Sequence, residues 1–515
     1  MRAKFVQILL LLATVGLHAE QDLIVDIGNT GEPGTLDPHL YFTNLEEHIL
    51  KDLFVGLTTM DASGEIIPGC AESWTVSDDQ LTWTFHLRER LRWSDGEPLT
   101  ASDFVFGFQR LLNPETAASL SFFLYSIDGA REVNSASGAT ESLGVSALDD
   151  TTLVIQLKEP SPFFAERLLY PVAYPVPAHV VNQHGDNWIK AENWVSNGPF
   201  VLNEWRPHEY VEVGKNPLFY AADQVAIDTV RYYPTTEPMT AYNRYLTGEL
   251  DYISNYPRGV HVSLLESREN EVHLAPLQSI MYLVFNTQKK PFDDIRVRKA
   301  LALAIDRNLI VDRLLGLGEV ASSTLSPPIV DNHVPVEYEH EQNVALAKQL
   351  LKDAGYTERP LQLELRHLPD EETRNIYVVI ASMWKDVGVE TTLHHSPLAD
   401  HFGNLNQGNF DVAQAGWFGE NNPEHYIELL SSKISAANYG KYESAKFDEL
   451  LAQAKAQGNI AERVDLLHQA ETLALKEYPV IPLYVVSTRN LVNPKLKGWL
   501  PNGRNLHPAR YFYWE

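Results

Sequence analysis

The sequence predicts an α/β protein with more than one lobe. Strand-like and helix-like patterns are interspersed along the chain instead of forming separate blocks, which is the signature of mixed sheets covered by helices. At 515 residues the chain is too long for one simple core. Its 44% hydrophobic and 21% charged residues are an ordinary globular balance. The 30 prolines and 29 glycines are scattered, so neither a repeat array nor a disordered tract stands out.

The amino end reads as an export signal. Arg2 and Lys4 give a short basic start, an apolar run extends from Ile8 to Leu17, and Ala19 offers a small residue for cleavage. That run is shorter than the roughly 20 residues a membrane-spanning helix needs. A signal peptide over 1–19 is therefore expected, and with it a mature protein that is soluble outside the cytoplasm. The single cysteine, Cys70, lies far from the signal, so there is no lipid attachment point and no internal disulfide. Its place before a strand-like stretch suggests buried filler, not a reactive thiol.

Further along, Leu81, Trp83, Phe85 and Leu87 alternate with polar residues, which predicts a half-buried strand. Leu153, Ile155 and Leu157 repeat the pattern up to Pro160. A helix is expected around Ile295, Arg298, Leu301, Ala304 and Ile305, opened by Asp293 and Asp294 where the helix dipole favours acid. Val344–Ala354 reads as a helix closed by Gly355. Phe447, Leu450, Leu451 and Ala454 form one apolar helix face, and Leu466, Ala470 and Leu473 another.

Charge and motifs exclude several function classes. A formal net charge of −27 repels phosphate backbones and anionic lipid, so no nucleic-acid partner is expected, and with no lipid-attachment cysteine and no other spanning stretch no direct membrane anchor is expected either. His208-Glu209 lacks the second histidine of a zinc-protease helix, and there is no G-x-S-x-G elbow, kinase signature or glycine-rich phosphate loop. His394 and His395 would point to opposite faces of a strand and so do not converge with His401 on one ion. No catalytic residue, metal or cofactor is expected, and the chain is read as a non-enzyme. The 10 Trp, 23 Tyr and 20 Phe suit core filling and the walls of a cleft.

Six stretches, in order along nearly the whole mature chain, resemble the family 5 extracellular solute-binding proteins, most closely the oligopeptide binders. They are Leu36-Asp37-Pro38-His39 with Asp52–Leu57; Ala71–Trp74 with Trp83–Arg88, Trp93-Ser94-Asp95-Gly96 and Thr100–Phe104; Asn197-Gly198-Pro199-Phe200; Asn243-Arg244-Tyr245 with Gly248–Asp251; Phe285–Gln288 with Pro291–Leu301; and Phe410–Ala413 with Gly416-Trp417. The resemblance implies a two-lobed periplasmic clamshell with an extra α/β domain inserted in the first lobe. Lobe I would combine 20–54, 178–273 and 482–515, the extra domain 55–177, and lobe II 274–481. It implies a monomer that buries short peptides by hinge closure and passes them to an inner-membrane ABC permease with its ATPase subunits.

A protein that accepts many peptides must read what they share. An extended ligand can pair as an added strand, each backbone bond worth ~0.5–1.5 kcal/mol net. Its charged amino end needs a carboxylate. The resemblance places that carboxylate at Glu420, where relatives carry an aspartate. Gly416 and Phe418 would supply backbone partners, with Phe42 and Asn44 from the first lobe, and Trp417 would wall the cleft or fill the core. The family's pattern departs at the other end. Gln414 stands where the oligopeptide binders carry an arginine, Thr373 near a histidine, and Leu398 at a pocket tryptophan, so the carboxyl end lacks its usual cation. A cysteine pair of close relatives maps to Phe418 and about Ser279, both absent here. Competing readings are the same scaffold with another cargo (a nickel chelate, glutathione, haem or a sugar) or an exported hydrolase.

Overall fold

The computed structural model describes residues 22–335, 338–433 and 438–515. The expected signal peptide lies outside the described residues.

Two separate mixed sheets organise the chain. The first has seven strands in the order Val272–His273, Asn490–Val492, Tyr252–Ser254, Ile24–Asn29, Thr229–Pro234, Tyr210–Lys215 and Phe200–Arg206. Ile24–Asn29 lies at its centre and runs parallel to both neighbours. The second has six strands in the order Val320–Ala321, Val480–Val485, Ser279–Phe285, Val412–Phe418, Leu361–His367 and Val389–His395. Val480–Val485 is buried at every residue, as a central strand covered on both faces must be. These sheets are the cores of the two lobes. A four-stranded antiparallel sheet, ordered Ala71–Val76, Thr82–Leu87, Thr152–Gln156, Val145–Asp149, stands apart from both. Its apolar residues join those of the seven-stranded sheet in one continuous core, whereas the six-stranded sheet has its own cores.

The chain passes between the lobes twice. One passage falls between His273 and Ser279 and the other between Val485 and Asn490. The two segments lie side by side, with Leu277 N–H donating to Val486 O at 2.8 Å and Thr488 N–H to Ala275 O at 2.8 Å. The second passage corrects the expected boundary between 481 and 482. Pro482 and Tyr484 pair with Tyr282 and Met281, so the strand stays in the second lobe through Val485. A uniformly apolar run carries no mark of which sheet it joins.

Local patterning behaves as the residues dictate. Trp83, Phe85 and Leu87 are buried on one face of their strand, as are Leu153 and Ile155 on theirs. Helix Ile295–Leu303 is capped by Asp294, whose carboxylate accepts the Arg296 N–H at 2.9 Å. Its first residue, Ile295, is exposed instead of facing the core, because the buried face begins with Val297 and Arg298. Helix Val344–Asp353 ends before Gly355, which takes φ +96°. Phe447, Leu450, Leu451 and Ala454 are buried on helix Ala445–Ala456. On helix Ile460–Glu477, Ala470 is buried while Leu466 and Leu473 pack half-buried against the same core. Cys70 is buried, its thiol pushed up to about 12 by desolvation, and Asn197 Nδ2 donates to its sulfur at 3.3 Å.

Candidate cleft between the lobes

The strand Val412–Phe418 carries most of the predicted residues. On one side it pairs along its full length with Ser279–Phe285. On the other it pairs with Leu361–His367 only through Val412 and Ala413. Beyond Ala413 the neighbouring strand diverges, and that side has no strand partner among the described residues. In an antiparallel pair, alternate residues turn both backbone groups away from the partner. The Gln414 carbonyl points to the open side, where His401 Nε2 donates to it at 2.9 Å. Two and four residues on, the backbone groups of Gly416 and Phe418 therefore face the same open edge. Glycine at 416 keeps the strand against Met281, whose sulfur would stand 2.6 Å from an added Cβ.

After Phe418 the chain turns into the short loop that holds Glu420. Gly419 N–H donates to Gln278 O at 2.9 Å, and the Tyr426 ring lies across Gly419 so closely that a Cβ there would meet its Cζ at 2.6 Å. Glu420 is only 1% exposed, and its Oε2 receives no hydrogen bond from the described residues. His425 Nδ1 is 4.0 Å from that oxygen but is not its cation. This nitrogen accepts the Glu420 backbone N–H at 3.1 Å, and burial pushes the imidazole down to about 4, so the ring is neutral. Burial also raises the Glu420 carboxyl above the usual carboxylate range, against the pull of Arg167 and Arg504. A buried carboxylate oxygen without a donor is costly, and a cation delivered to it relieves that cost.

Three parts of the fold meet here. Glu420 comes from the second lobe, Arg504 from the carboxyl-terminal return to the first, and Glu166 from the short helix Phe164–Arg167 beside the four-stranded sheet. Glu166 pairs with Arg504 and accepts the Asn421 N–H at 2.7 Å. Tyr170 and Tyr426 are also within electrostatic range of Glu420. Sequence reasoning missed Glu166, Arg504 and the two tyrosines, since none sits in a periodic element or a motif that marks it.

The remaining predicted residues are dispersed. Trp417 is half-buried against the second lobe's core and meets His425 edge-on at 5.4 Å between ring centroids. Phe418 is 63% exposed beside the open edge. Phe42 and Asn44 are exposed at the start of helix Asn44–Leu53, on the first lobe. Gln414 is buried, and its Oε1 accepts the Leu368 N–H at 2.9 Å, so it ties two strands together. Thr373 lies in the first turn of helix Glu371–Asp386, its N–H capped by Asp370. Leu398 is exposed at the start of helix Leu398–Gln407. Ser279 and Phe418 are cross-strand neighbours, which is the placement a bridging cysteine pair would require. His394 and His395 are exposed at the end of an edge strand, whereas His401 is buried on a helix. Among the described residues no group of three His, Cys, Asp or Glu side chains is arranged to hold a metal ion.

Two α/β lobes joined by paired crossings, with an open strand edge and a buried unpaired carboxylate where they meet, define a solute-binding protein. Residues 65–438 match the family described as bacterial extracellular solute-binding proteins, family 5 Middle. The probable deoxycholate-binding periplasmic protein YgiS of Escherichia coli (strain K12) is 36% identical over 92% of this chain and 89% of its own length. The periplasmic oligopeptide-binding protein OppA of Salmonella typhimurium is 34% identical over 95% of this chain and 91% of its own. The unliganded open form of the murein tripeptide-binding protein MppA superposes with a TM-score of 0.85, at 33% identity, over 96% of this chain and 98% of that one. Haemophilus influenzae OppA in complex with RPPGFSPFR gives 0.77, at 30% identity, over 96% and 99%. The chain belongs to the family 5 extracellular solute-binding proteins. These relatives are named as periplasmic binding proteins, and no helix among the described residues is long and apolar enough to cross a membrane.

Proposed function

We propose that this protein captures short peptides in the periplasm and delivers them to an inner-membrane ABC permease. The ligand lies as an added strand along the open edge of Gly416–Phe418, its ammonium against Glu420, and the lobes close over it. Phe42 and Asn44 meet it from the first lobe. The mature chain acts as a monomer without catalysis, and lobe I, the extra domain and lobe II follow the segments given above with the return crossing moved past Val485. The observation that carries this reading is the Glu420 oxygen, buried and without a donor, at the end of an unpaired strand edge. Calorimetry of a free-amine peptide and its N-acetyl twin tests it. Retention of both with equal affinity would exclude the amine anchor.

A second reading keeps the scaffold and changes the cargo. It is favoured by the relative named as probably binding deoxycholate. That ligand has no amine, so its binding would not depend on ionised Glu420. Native mass spectrometry of freshly purified protein separates the two, since co-purified peptides appear as a distribution of masses and a bile acid as a single added mass.

A further inference from the structure

The loop that holds Glu420 is gripped from outside its own lobe. Asn421 N–H donates to Glu166 Oε1 at 2.7 Å, and the same oxygen is paired with Arg504 Nη2. At the far end of the loop Glu424 accepts from Arg463 Nε at 2.9 Å, and Arg463 Nη1 reaches Pro160 O at 3.3 Å. Gln80 Nε2 adds a contact to Gly458 O at 2.5 Å. Pro160, Glu166 and Gln80 all lie in the inserted region, between the strand Ala71–Val76 and the helix Ala178–His184. Glu166 is firmly placed there. Phe164 is fully buried edge-on against Trp83, and Thr58 Oγ1 donates to Ala165 O at 2.9 Å.

Resting on the peptide reading of the cleft, we propose that Glu166 is a positioning residue. It is a fixed carboxylate of the inserted domain, held by Arg504 of the first lobe, that seats the Glu420 loop of the second lobe when the lobes come together. The physical reason is geometric. Glu420 belongs to the moving lobe, and its side chain is aimed by a backbone whose next N–H, that of Asn421, ends on Glu166. A charge-assisted bond to a buried carboxylate is shorter and stronger than a neutral one, so the seat is made only when the Asn421 N–H comes within bonding distance of Glu166. Burial raises the Glu166 carboxyl above the usual carboxylate range, and Arg504 opposes that rise by favouring the ionised form. Glu166 Oε1 is engaged by the Asn421 N–H and by Arg504. It governs how long the lobes stay together, whereas Glu420 governs what they hold.

The test compares Glu166→Gln and the double variant Glu166→Met/Arg504→Met with wild type. The double variant removes both charges without stranding either one. Tetra-alanine with a free amine and N-acetyl tetra-alanine are the probes, read by calorimetry and by stopped-flow release. Release of tetra-alanine is expected to quicken about tenfold in the double variant, with a smaller gain in Glu166→Gln, which keeps an acceptor oxygen for Asn421. The ratio of free-amine to acetyl affinity should stay at the wild-type value in Glu166→Gln, which leaves Arg504 beside Glu420. Unchanged release in the double variant would overturn the proposal, as would collapse of that ratio in Glu166→Gln, which would mean that Glu166 reads the amine itself. Failure of the peptide reading has a different signature: wild type would already show no preference for the free amine.

Discussion

The strand Val412–Phe418 ends in two unlike neighbourhoods. At its far end the chain runs into a buried carboxylate with an unbonded oxygen, ringed by groups from three parts of the molecule. Near its middle, Gln414 is neutral, its oxygen is already bonded to Leu368, and its carbonyl is held by His401. Around it, Leu398 is an exposed apolar side chain and Thr373 a capped helix residue. Arg366, on the adjoining strand, is paired with Glu364 at 2.6 Å. The first neighbourhood leaves a buried acceptor oxygen open although Arg167 and Arg504 lie near it, whereas the second has the Gln414 amide oxygen and carbonyl both engaged. On the proposed peptide reading, a ligand would be fixed at its amino end and left free at its carboxyl end, and peptide length would be a loose requirement.

That contrast is sharpest at Glu420. Glu420→Gln is expected to weaken binding of a free-amine peptide by at least tenfold, a floor below the ~3–5 kcal/mol that loss of one partner of a buried ion pair costs. Calorimetry at neutral pH measures it, and equal affinities would erase the difference between the two ends. Acidity probes the same group more gently. The free protein's Glu420 carboxyl is raised by burial and a bound ammonium would lower it. Affinity should therefore be complete above the free-state pKa and fall as pH drops through it. N-acetyl peptides and the Glu420→Gln variant should show no such slope in titrations from pH 8 to 4.

The Gln414 end should respond in stability instead. Gln414→Leu removes the acceptor of the half-buried Leu368 N–H and should cost about 1 kcal/mol in denaturant unfolding, while peptide affinity changes by less than about twofold. A large loss of affinity at unchanged stability would assign Gln414 to the ligand after all. The smallest effect is expected from the ligand's own carboxyl end. Amidating it should alter affinity by less than about twofold, and a tenfold loss on amidation would reveal a cation at that end.

Much of this layout could be read from the chain. Alternation marked Thr82–Leu87 and Thr152–Gln156, because their faces differ in exposure. The order of the six family-like stretches pointed to two lobes and to Glu420. Glu166 and Arg504 could not be read in this way. They are 338 residues apart, on a four-residue helix and in a segment without periodicity, and a lone acid or base in such places looks like any solvated charge. The return crossing was misplaced for a related reason: Val480–Val485 is apolar throughout, and composition does not say which neighbour a buried strand chooses. Gln414 looked like a gap in a ligand pocket. Only the third dimension shows its amide serving as a strut between strands.

The paired crossings at 273–279 and 485–490 carry one last consequence. Bonded to each other at Leu277–Val486 and Ala275–Thr488, they have the build of a two-ply leaf spring, and on the proposed closure they would act as one. Such a leaf flexes across its thin direction and resists torsion, so the lobes travel along one arc. Each return swing then brings the same opposing surfaces back into register, whatever guest has been left behind.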